Sequence, residues 1–178
     1  MLKLPLKWLN YQKENKILDM SETDTIEGEG EEKPKTLSQR RKNRIAVIQF
    51  LYMWEYNPAE ILGMALKEFF EKEEEEREYY QFAEELIIGV NQSAKEIDTI
   101  IRDHAKNWDF NRIGKVNLAI LRLSVYEIIY RNDIPPVVTM NEAIELTKLL
   151  SEEDSKRFIN GILDKISKKQ KRPLREAL

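Results

Sequence analysis

One stretch, KVNLAILRLSVYEIIYRNDIPP from Lys115 to Pro136, limits the possible folds of this chain most strongly. Its apolar residues cover most of the circumference of a helix. Pro135 and Pro136 should stop that helix, since proline lacks a backbone N–H and its ring clashes with the preceding turn. A helix that is apolar almost all round is stable only when other elements surround it. We therefore predict that this stretch is the central helix of the C-terminal half.

Two charged residues, Arg122 and Glu127, interrupt this apolar stretch. A charge that is taken out of water needs a partner, so both residues are expected in structural ion pairs and not in catalysis. Glu127 and Arg131 have the favourable order of an acid four residues before a base on a helix. The sequence thus predicts that Glu127 pairs with Arg131.

The rest of the chain has helical spacing and no convincing strand alternation. A helix is predicted from about Ser38 to Tyr56, and an amphipathic one follows between Ile61 and Phe70. A longer pattern from about Arg77 should bend near residues 91–93. With 178 residues the chain is long enough for one domain with a real core. The predicted fold is all-α, a compact bundle of about seven helices.

Residues 139–165, TMNEAIELTKLLSEEDSKRFINGILDK, predict two consecutive helices joined by a polar turn. Thr139 and Glu142 are spaced as a capping box at the start of the first helix. Ser151 is a candidate cap for the second helix.

Charge is unevenly distributed although the net charge is only −3. Four cations occupy the predicted start of the first helix, at Arg40, Arg41, Lys42 and Arg44. Cations are unfavourable at the positive end of a helix dipole, which suggests that an external anion such as an RNA backbone offsets them. The alternative is a solvated helix start without a ligand.

A second candidate site combines Lys156, Arg157, Phe158 and Asn160 on about one turn of a helix. Phe158 lies beside the apolar stripe and could stack on an unpaired RNA base. An aromatic residue at helical spacing is more often part of the core, so both interpretations stay open.

The sequence does not favour an enzyme. It has no Cys, a single His, and no phosphate-binding glycine loop, serine elbow or HExxH arrangement. We therefore predict no catalytic residue, metal site or cofactor.

No apolar run approaches the roughly 20 residues that span a bilayer. A cytoplasmic protein without a membrane contact is expected.

Several motifs, in order, resemble the NusB family of bacterial transcription antitermination factors. They are RRKNRIAVIQFLYMWE, WDFNRIGKVNLAILRLSVYEIIYRNDIPPVVTMNEA, NEAIEL, EDS and KRFINGILDKI, and together they cover roughly residues 38–166. The resemblance implies two packed helical subdomains and an arginine-rich RNA-binding motif. It also implies an adaptor that binds boxA RNA of ribosomal RNA operons together with the ribosomal protein NusE. That complex joins RNA polymerase with other Nus factors.

The resemblance also assigns residues. It implies that the four cations of residues 40–44 contact RNA together with the segment that contains Asp154, Lys156, Arg157 and Phe158, with Tyr52 near the RNA or partner surface. An acid at Asp154 would weaken phosphate binding, so it either tunes RNA affinity or only caps the helix, and both interpretations stay open. For NusE we expect the turn and helix start from Trp108 to Leu118, including Asn111 and Asn117. Many relatives carry acids around these two amides, so ion pairs with a basic NusE are in doubt. Some relatives form homodimers.

Two other interpretations stay open. The helical domain also resembles the RNA-binding part of a ribosomal RNA cytosine methyltransferase, which would need a separate catalytic domain. The second is a purely protein-binding helical adaptor, in which the basic cluster has no role.

We expect a flexible acidic N-terminal extension over residues 1–36, the helical domain over residues 37–168 and a basic tail over residues 169–178. One hypothesis is that the acids of the extension compete with RNA for the basic cluster; the alternative is a disordered lineage-specific extension.

Overall fold

The structure is a computed structural model that describes residues 37–58, 61–73, 75–106, 108–170 and 173–176. The predicted N-terminal extension over residues 1–36 lies outside the described residues. Throughout the described ranges the regular secondary structure is helical, which confirms the all-α class.

Seven α-helices form the described part of the chain. In chain order they are α1 Gln39–Tyr56, α2 Leu62–Phe70, α3 Gln81–Gln92, α4 Ala94–His104, α5 Lys115–Tyr130, α6 Pro136–Leu150 and α7 Ser155–Lys169. Short 3-10 helices precede α3 and α5, at Arg77–Tyr80 and Phe110–Arg112. The predicted bend near residues 91–93 is confirmed, because Ser93 separates α3 from α4.

Helix α5 is the centre of the fold. It packs against α1, α3, α4, α6 and α7, and nine of its residues are buried. The backbone of α3 comes so close to α5 at Gly89 that an added Cβ would lie 2.0 Å from the Tyr126 hydroxyl. The prediction of a buried helix is therefore confirmed, and α5 holds the N-terminal helices as well as those of the C-terminal half.

Asn43 of α1 supplies the missing cap of α3. The first residues of α3 have no side-chain cap of their own. Asn43 is fully buried, and its Oδ1 accepts a hydrogen bond from the Ala83 N–H at 3.0 Å. Its Nδ2 donates to the carbonyl oxygens of Gln39 and Tyr79. Because unsatisfied N–H groups at a helix start are costly when buried, the start of α3 depends on α1.

The predicted pair between Glu127 and Arg131 is wrong. Glu127 is buried and instead accepts hydrogen bonds from Arg44 Nε at 2.8 Å and from Thr139 Oγ1 at 2.7 Å. Arg131 pairs with Asp133 and Glu85. The reason is local: α5 ends at Tyr130, and Arg131 has the non-helical angles φ −98° and ψ 89°, so the spacing of a continuous helix is lost.

Arg122 behaves as predicted, in a structural ion pair. Its Nε and Nη2 donate to the two oxygens of Asp98 on α4, at 2.7 and 2.9 Å. Its Nη1 donates to Glu55 on α1 at 2.7 Å. The half-buried guanidinium therefore ties α4 and α1 to the middle of α5.

Both predicted helix caps of the C-terminal segment are wrong. Helix α6 begins three residues before Thr139, with Pro136 at a position that favours proline, so Thr139 lies inside the helix. Glu142 is consequently free to bind Arg41 of α1. Ser151 ends α6, and its hydroxyl donates to Asn117 Oδ1 at 2.7 Å instead of capping α7.

We expect the substitution Glu127→Gln to lower the free energy of unfolding by about 3–5 kcal/mol, because it leaves the Arg44 charge buried without its counter-ion. Urea unfolding followed by circular dichroism measures this change. Glu85→Gln is the matched control: Glu85 is an exposed carboxylate that also pairs with an arginine, and we expect a loss below about 1 kcal/mol. Equal losses in the two variants would show that burial of the Arg44–Glu127 pair has no special weight.

Candidate nucleic-acid interface

The basic start of α1 is built as the sequence predicts, with Ser38 as its cap. Ser38 has extended backbone angles, and its Oγ accepts a hydrogen bond from the Arg41 N–H at 3.4 Å. The cap starts a rigid helix immediately before the cations. Their side chains, however, point in different directions.

Arg44 is not on the surface, so the structure does not support the direct RNA contact that was expected of all four cations. Its relative exposure is 3%, and its Nε and Nη2 contact the two carboxylate oxygens of Glu127 at 2.8 and 3.3 Å. Arg44 lies one turn further into α1 than Arg40, where the helix already packs against α5. We therefore regard Arg44 as a core residue that holds α1 in place.

Arg41 is also partly neutralised from within the fold. Its Nε and Nη2 donate to the two oxygens of Glu142 on α6, at 2.9 and 2.6 Å. These hydrogen bonds raise the pKa of Arg41 and lower the pKa of the Glu142 carboxyl from its ordinary value. Such a two-pronged contact fixes the guanidinium in one orientation.

Arg40 and Lys42 are the cations of this cluster that stay available. Among the described residues neither pairs with a carboxylate, and Arg40 is exposed. The Arg40 guanidinium carbon lies 5.0 Å from the centre of the Phe82 ring, which also faces Arg44 and Arg131 at 5.3 and 5.4 Å. Phe82 thus holds one face of the Arg40 guanidinium by cation–π contact, and the opposite face of the guanidinium stays in solvent.

The second candidate area is the start of α7. Asp154 and Arg157 are exposed, and Lys156 pairs with Glu153 at 2.6 Å. Asp154 directly precedes α7, although its side chain makes no capping hydrogen bond. Phe158 is half-buried: it packs against the core and also contacts Trp108, with ring centres 5.0 Å apart and planes at 60°.

The residues predicted to bind the protein partner do not form one surface. Leu118 has a relative exposure of 2% and belongs to the core, so its assignment to a surface is wrong. Helix α5 begins at Lys115, and Leu118 lies on the side that the other helices cover. Asn111 is exposed, in the short helix that Asp109 caps. Trp108 is 63% exposed and belongs with Phe158.

Asn117 lies on a different surface, in a groove of about 650 Å³. Its side chain accepts a hydrogen bond from the Ser151 hydroxyl at 2.7 Å and donates one to Ser155 Oγ at 2.9 Å. The same groove contains Tyr52 and Tyr56, whose ring centres are 5.1 Å apart. Partial burial and the neighbouring Tyr56 raise the pKa of Tyr52.

Sequence reasoning placed Tyr52 near the RNA or the partner and included Lys115 in the partner-binding stretch from Trp108 to Leu118, but it missed Tyr56, which lines this groove beside them. Lys115 forms an ion pair with Glu55 at 2.6 Å. The signal that could have found Tyr56 is its position four residues after Tyr52, on the same face of α1.

The two candidate RNA areas lie near opposite ends of α5. The basic start of α1 contacts α5 at Glu127, whereas the turn before α7 contacts it at Asn117. These two positions on α5 are about 15 Å apart at 1.5 Å per residue. One RNA strand that touches both areas must therefore extend along the domain.

Residues 41–168 match the NusB family. The chain belongs to this family. It is 41% identical over 131 residues to the transcription antitermination protein NusB of Geobacter sulfurreducens, covering 74% of this chain and 95% of that one. It is 41% identical over 133 residues to the NusB protein of Listeria innocua, covering 75% of this chain and 99% of the relative.

Solved NusB structures have the same fold. NusB of T. maritima matches with a TM-score of 0.66 and 34% identity, over 82% of this chain and 96% of that chain. A chain in the crystal structure of the antitermination factors NusB and NusE in complex with dsRNA matches with a TM-score of 0.65 and 29% identity. That match covers 75% of this chain and 99% of the other.

Two further observations concern membranes and metals. In the part of the chain that the structure describes, no helix combines the length and apolar character that crossing a bilayer requires. Within the same residues, His, Asp and Glu side chains form no group of three or more that could hold a metal ion.

We expect the Arg41–Glu142 pair to stabilise this NusB-family fold in a pH-dependent way. Because folding lowers the pKa of Glu142, the pair should contribute fully above the unfolded value near 4.5 and lose its contribution as the pH falls through the lower folded value. Urea unfolding at several pH values should show Glu142→Gln less stable than the wild type at pH 7. That difference should shrink in acid.

The matched control is Glu153→Gln, which removes a largely exposed carboxylate that pairs with Lys156. It should change stability little at any pH. A wild-type advantage over Glu142→Gln that stays constant down to strongly acidic pH would contradict the prediction.

Proposed function

We propose that this protein is a transcription antitermination factor. It binds boxA-type RNA of ribosomal RNA operons together with NusE and joins RNA polymerase with other Nus factors. The observation that carries this proposal is the capped, cationic start of α1, where Arg40 is exposed and neither Arg40 nor Lys42 pairs with a carboxylate of the described residues. Membership of the NusB family supports it, as does the related complex of NusB and NusE with dsRNA.

The first RNA contact is electrostatic. Arg40 and Lys42 neutralise backbone phosphates, which gives affinity without sequence choice. Arg41 keeps part of its guanidinium accessible but is oriented by Glu142. Arg44 acts indirectly by fixing α1 against Glu127. We thus assign phosphate binding chiefly to two of the four cations in this cluster.

The second RNA contact is at the start of α7. Arg157 offers an exposed cation, and Phe158 offers a half-buried ring on which an unpaired base can stack. Asp154, at the same exposed turn, can accept hydrogen bonds from base amino groups. Lys156 is held by Glu153 and is assigned a smaller part.

We place NusE on the groove that contains Tyr52, Tyr56, Lys115 and Asn117. Tyrosine rings that are partly exposed beside polar groups are characteristic of protein interfaces. Asn117 bonds to two serines within the fold, which fixes the orientation of its amide at the floor of the groove. Ser155, the first residue of α7, lines this groove, so the proposed RNA contacts on α7 lie next to it.

The protein acts as an adaptor in the cytoplasm and carries out no chemical step of its own. Its described surface offers phosphate-binding cations, stacking rings and a protein groove, which together suit assembly of an RNA–protein complex.

Fluorescence anisotropy of a labelled boxA-type RNA across a salt series tests the RNA assignment. We expect Arg40→Gln and Lys42→Gln each to reduce the magnitude of the log–log salt slope by about 0.7, the value for one single-strand phosphate contact. Arg41→Gln should change the slope less, because Glu142 already offsets that charge. An equal effect of Arg40→Gln and Arg41→Gln would contradict this division, and a scrambled RNA that binds as well as boxA would contradict the proposed function.

Adding NusE to the same titration tests the protein groove. We expect Tyr56→Ser to weaken the NusE-dependent gain in RNA affinity several-fold, since truncating a central interface aromatic usually costs more than about 1 kcal/mol. RNA binding without NusE should not change. Tyr130→Ser, an exposed tyrosine at the other end of α5, is the control. An identical NusE effect in both variants would place NusE elsewhere.

A further inference from the structure

Three polar side chains join α5, α6 and α7 in the groove assigned to NusE. Asn117 lies in the first turn of α5, Ser151 directly follows α6, and Ser155 is the first residue of α7. The Ser151 hydroxyl donates to Asn117 Oδ1 at 2.7 Å, and Asn117 Nδ2 donates to Ser155 Oγ at 2.9 Å. The two hydroxyl oxygens are 3.4 Å apart, so the three side chains form a closed triangle. We call these three residues the Asn–Ser cluster.

The cluster anchors the start of α7, which has no side-chain cap of its own. Asp154 directly precedes the helix but makes no capping hydrogen bond. The turn over residues 152–154 is exposed, and the first residue of α7 that the core buries is Ile159. Between this turn and Ile159, the hydrogen bond from Asn117 holds Ser155 against α5. The first turn of α7 therefore takes its position in part from Asn117.

This first turn carries the residues to which we assign the second RNA contact. Arg157 and Phe158 lie within about 5 Å of Ser155 along the helix axis, at 1.5 Å per residue. Asp154 is the neighbour of Ser155 on the other side. A shift of Ser155 consequently changes the direction in which these side chains point. The Asn–Ser cluster can thus alter the RNA contact without touching RNA.

We propose that Asn117 is a positioning residue that couples the two binding sites. NusE in the groove strengthens the RNA contact at α7 through the Asn–Ser cluster, and RNA strengthens NusE binding in return. The inference rests on the proposed function and goes beyond it, since there the two sites are neighbours without an energetic link. The effect has to be reciprocal, because a coupling free energy between two binding sites is shared by both ligands.

The physical basis of the coupling is the exclusion of water. All three side chains of the cluster are half-buried and line the groove, so water competes for their hydrogen bonds when the groove is open. A protein that covers the groove removes this water, and hydrogen bonds are stronger in less polar surroundings. The first turn of α7 is then held more firmly. RNA meets a turn that is already ordered and loses less conformational freedom on binding.

The gain in RNA affinity at saturating NusE measures this coupling. Fluorescence anisotropy of a labelled boxA-type RNA, with and without NusE, gives the gain as a ratio of two dissociation constants. Asn117→Leu keeps a side chain of similar size but removes both hydrogen bonds. We expect it to lower the gain about fivefold, within the range by which single residues alter a coupling. Asn117→Asp should retain the gain, because its two carboxylate oxygens can accept from the two serine hydroxyls.

Saturation with NusE separates positioning from direct contact with NusE. Tyr56→Ser is the matched control, because Tyr56 lines the same groove and lies outside the cluster. This variant should need more NusE to reach half of the gain, yet it should reach the wild-type gain at saturation. Asn117→Leu should fall short even at saturation. Ser155→Ala removes a single hydrogen bond of the cluster and is the milder variant, with a smaller loss in the same direction; thermal unfolding shows whether each variant is folded.

The reverse titration provides a second measurement. Labelled NusE is titrated with this protein in the absence and in the presence of saturating boxA-type RNA. In the wild type, RNA should tighten NusE binding by the same factor by which NusE tightens RNA binding. Asn117→Leu should lower both factors equally. A merely destabilising substitution has no reason to change the two factors together in a folded protein.

Different outcomes overturn different parts. If folded Asn117→Leu and Ser155→Ala both reach the wild-type gain at saturating NusE, the inference fails and the proposed function stands. If Asn117→Asp loses the gain as Asn117→Leu does, the two hydrogen bonds are not its source and the inference also fails. If NusE and RNA both bind the wild type without any gain, the coupling is absent. If the wild type does not prefer boxA RNA to a scrambled RNA at any salt concentration, the proposed function fails and the inference fails with it.

Discussion

The buried carboxylate of Glu127 is the interaction on which the rest of the structure depends. It lies in the central helix α5 and accepts hydrogen bonds from Arg44 of α1 and Thr139 of α6. A charge in this position is costly unless every lone pair finds a donor. The geometry therefore fixes the rotation of α1 about its own axis, and with it the direction in which the neighbouring cations point. The packing of the core therefore also sets the geometry of the proposed RNA contact.

The basic cluster illustrates how a fold divides a sequence motif. Four cations stand in five positions of the chain, yet Arg44 is used by the core and Arg41 is bound to Glu142. Only side chains that stay in water with a free face can release counterions from a nucleic acid. The division has a benefit, since the two internal ion pairs fix the helix that carries Arg40 and Lys42, the two cations to which we assign phosphate binding.

Periodicity predicted the helices well, because apolar spacing reflects burial directly; the burial of α5, the start of α1 and the break at Ser93 are examples. Periodicity could not predict polar contacts between residues that are far apart in the sequence. Glu127 has an ideal partner four residues along the chain, but its actual partner is 83 residues away. Thr139 and Glu142 matched a local capping pattern and serve tertiary contacts instead. Family resemblance supplied the function, yet it could not tell that Leu118 faces the core or that Trp108 contacts Phe158.

The long separation between Arg44 and Glu127 also matters during synthesis. As the ribosome extends the chain, α1 emerges long before α5 and α6, and until then Arg44 and Arg41 lack the Glu127 and Glu142 carboxylates that they bind in the finished domain. The nascent α1 segment thus presents more unpaired cations than the same helix does in the finished domain. Completion of the bundle removes part of that charge from the surface. Folding therefore leaves fewer free cations on α1 than the nascent segment offers to nucleic acid.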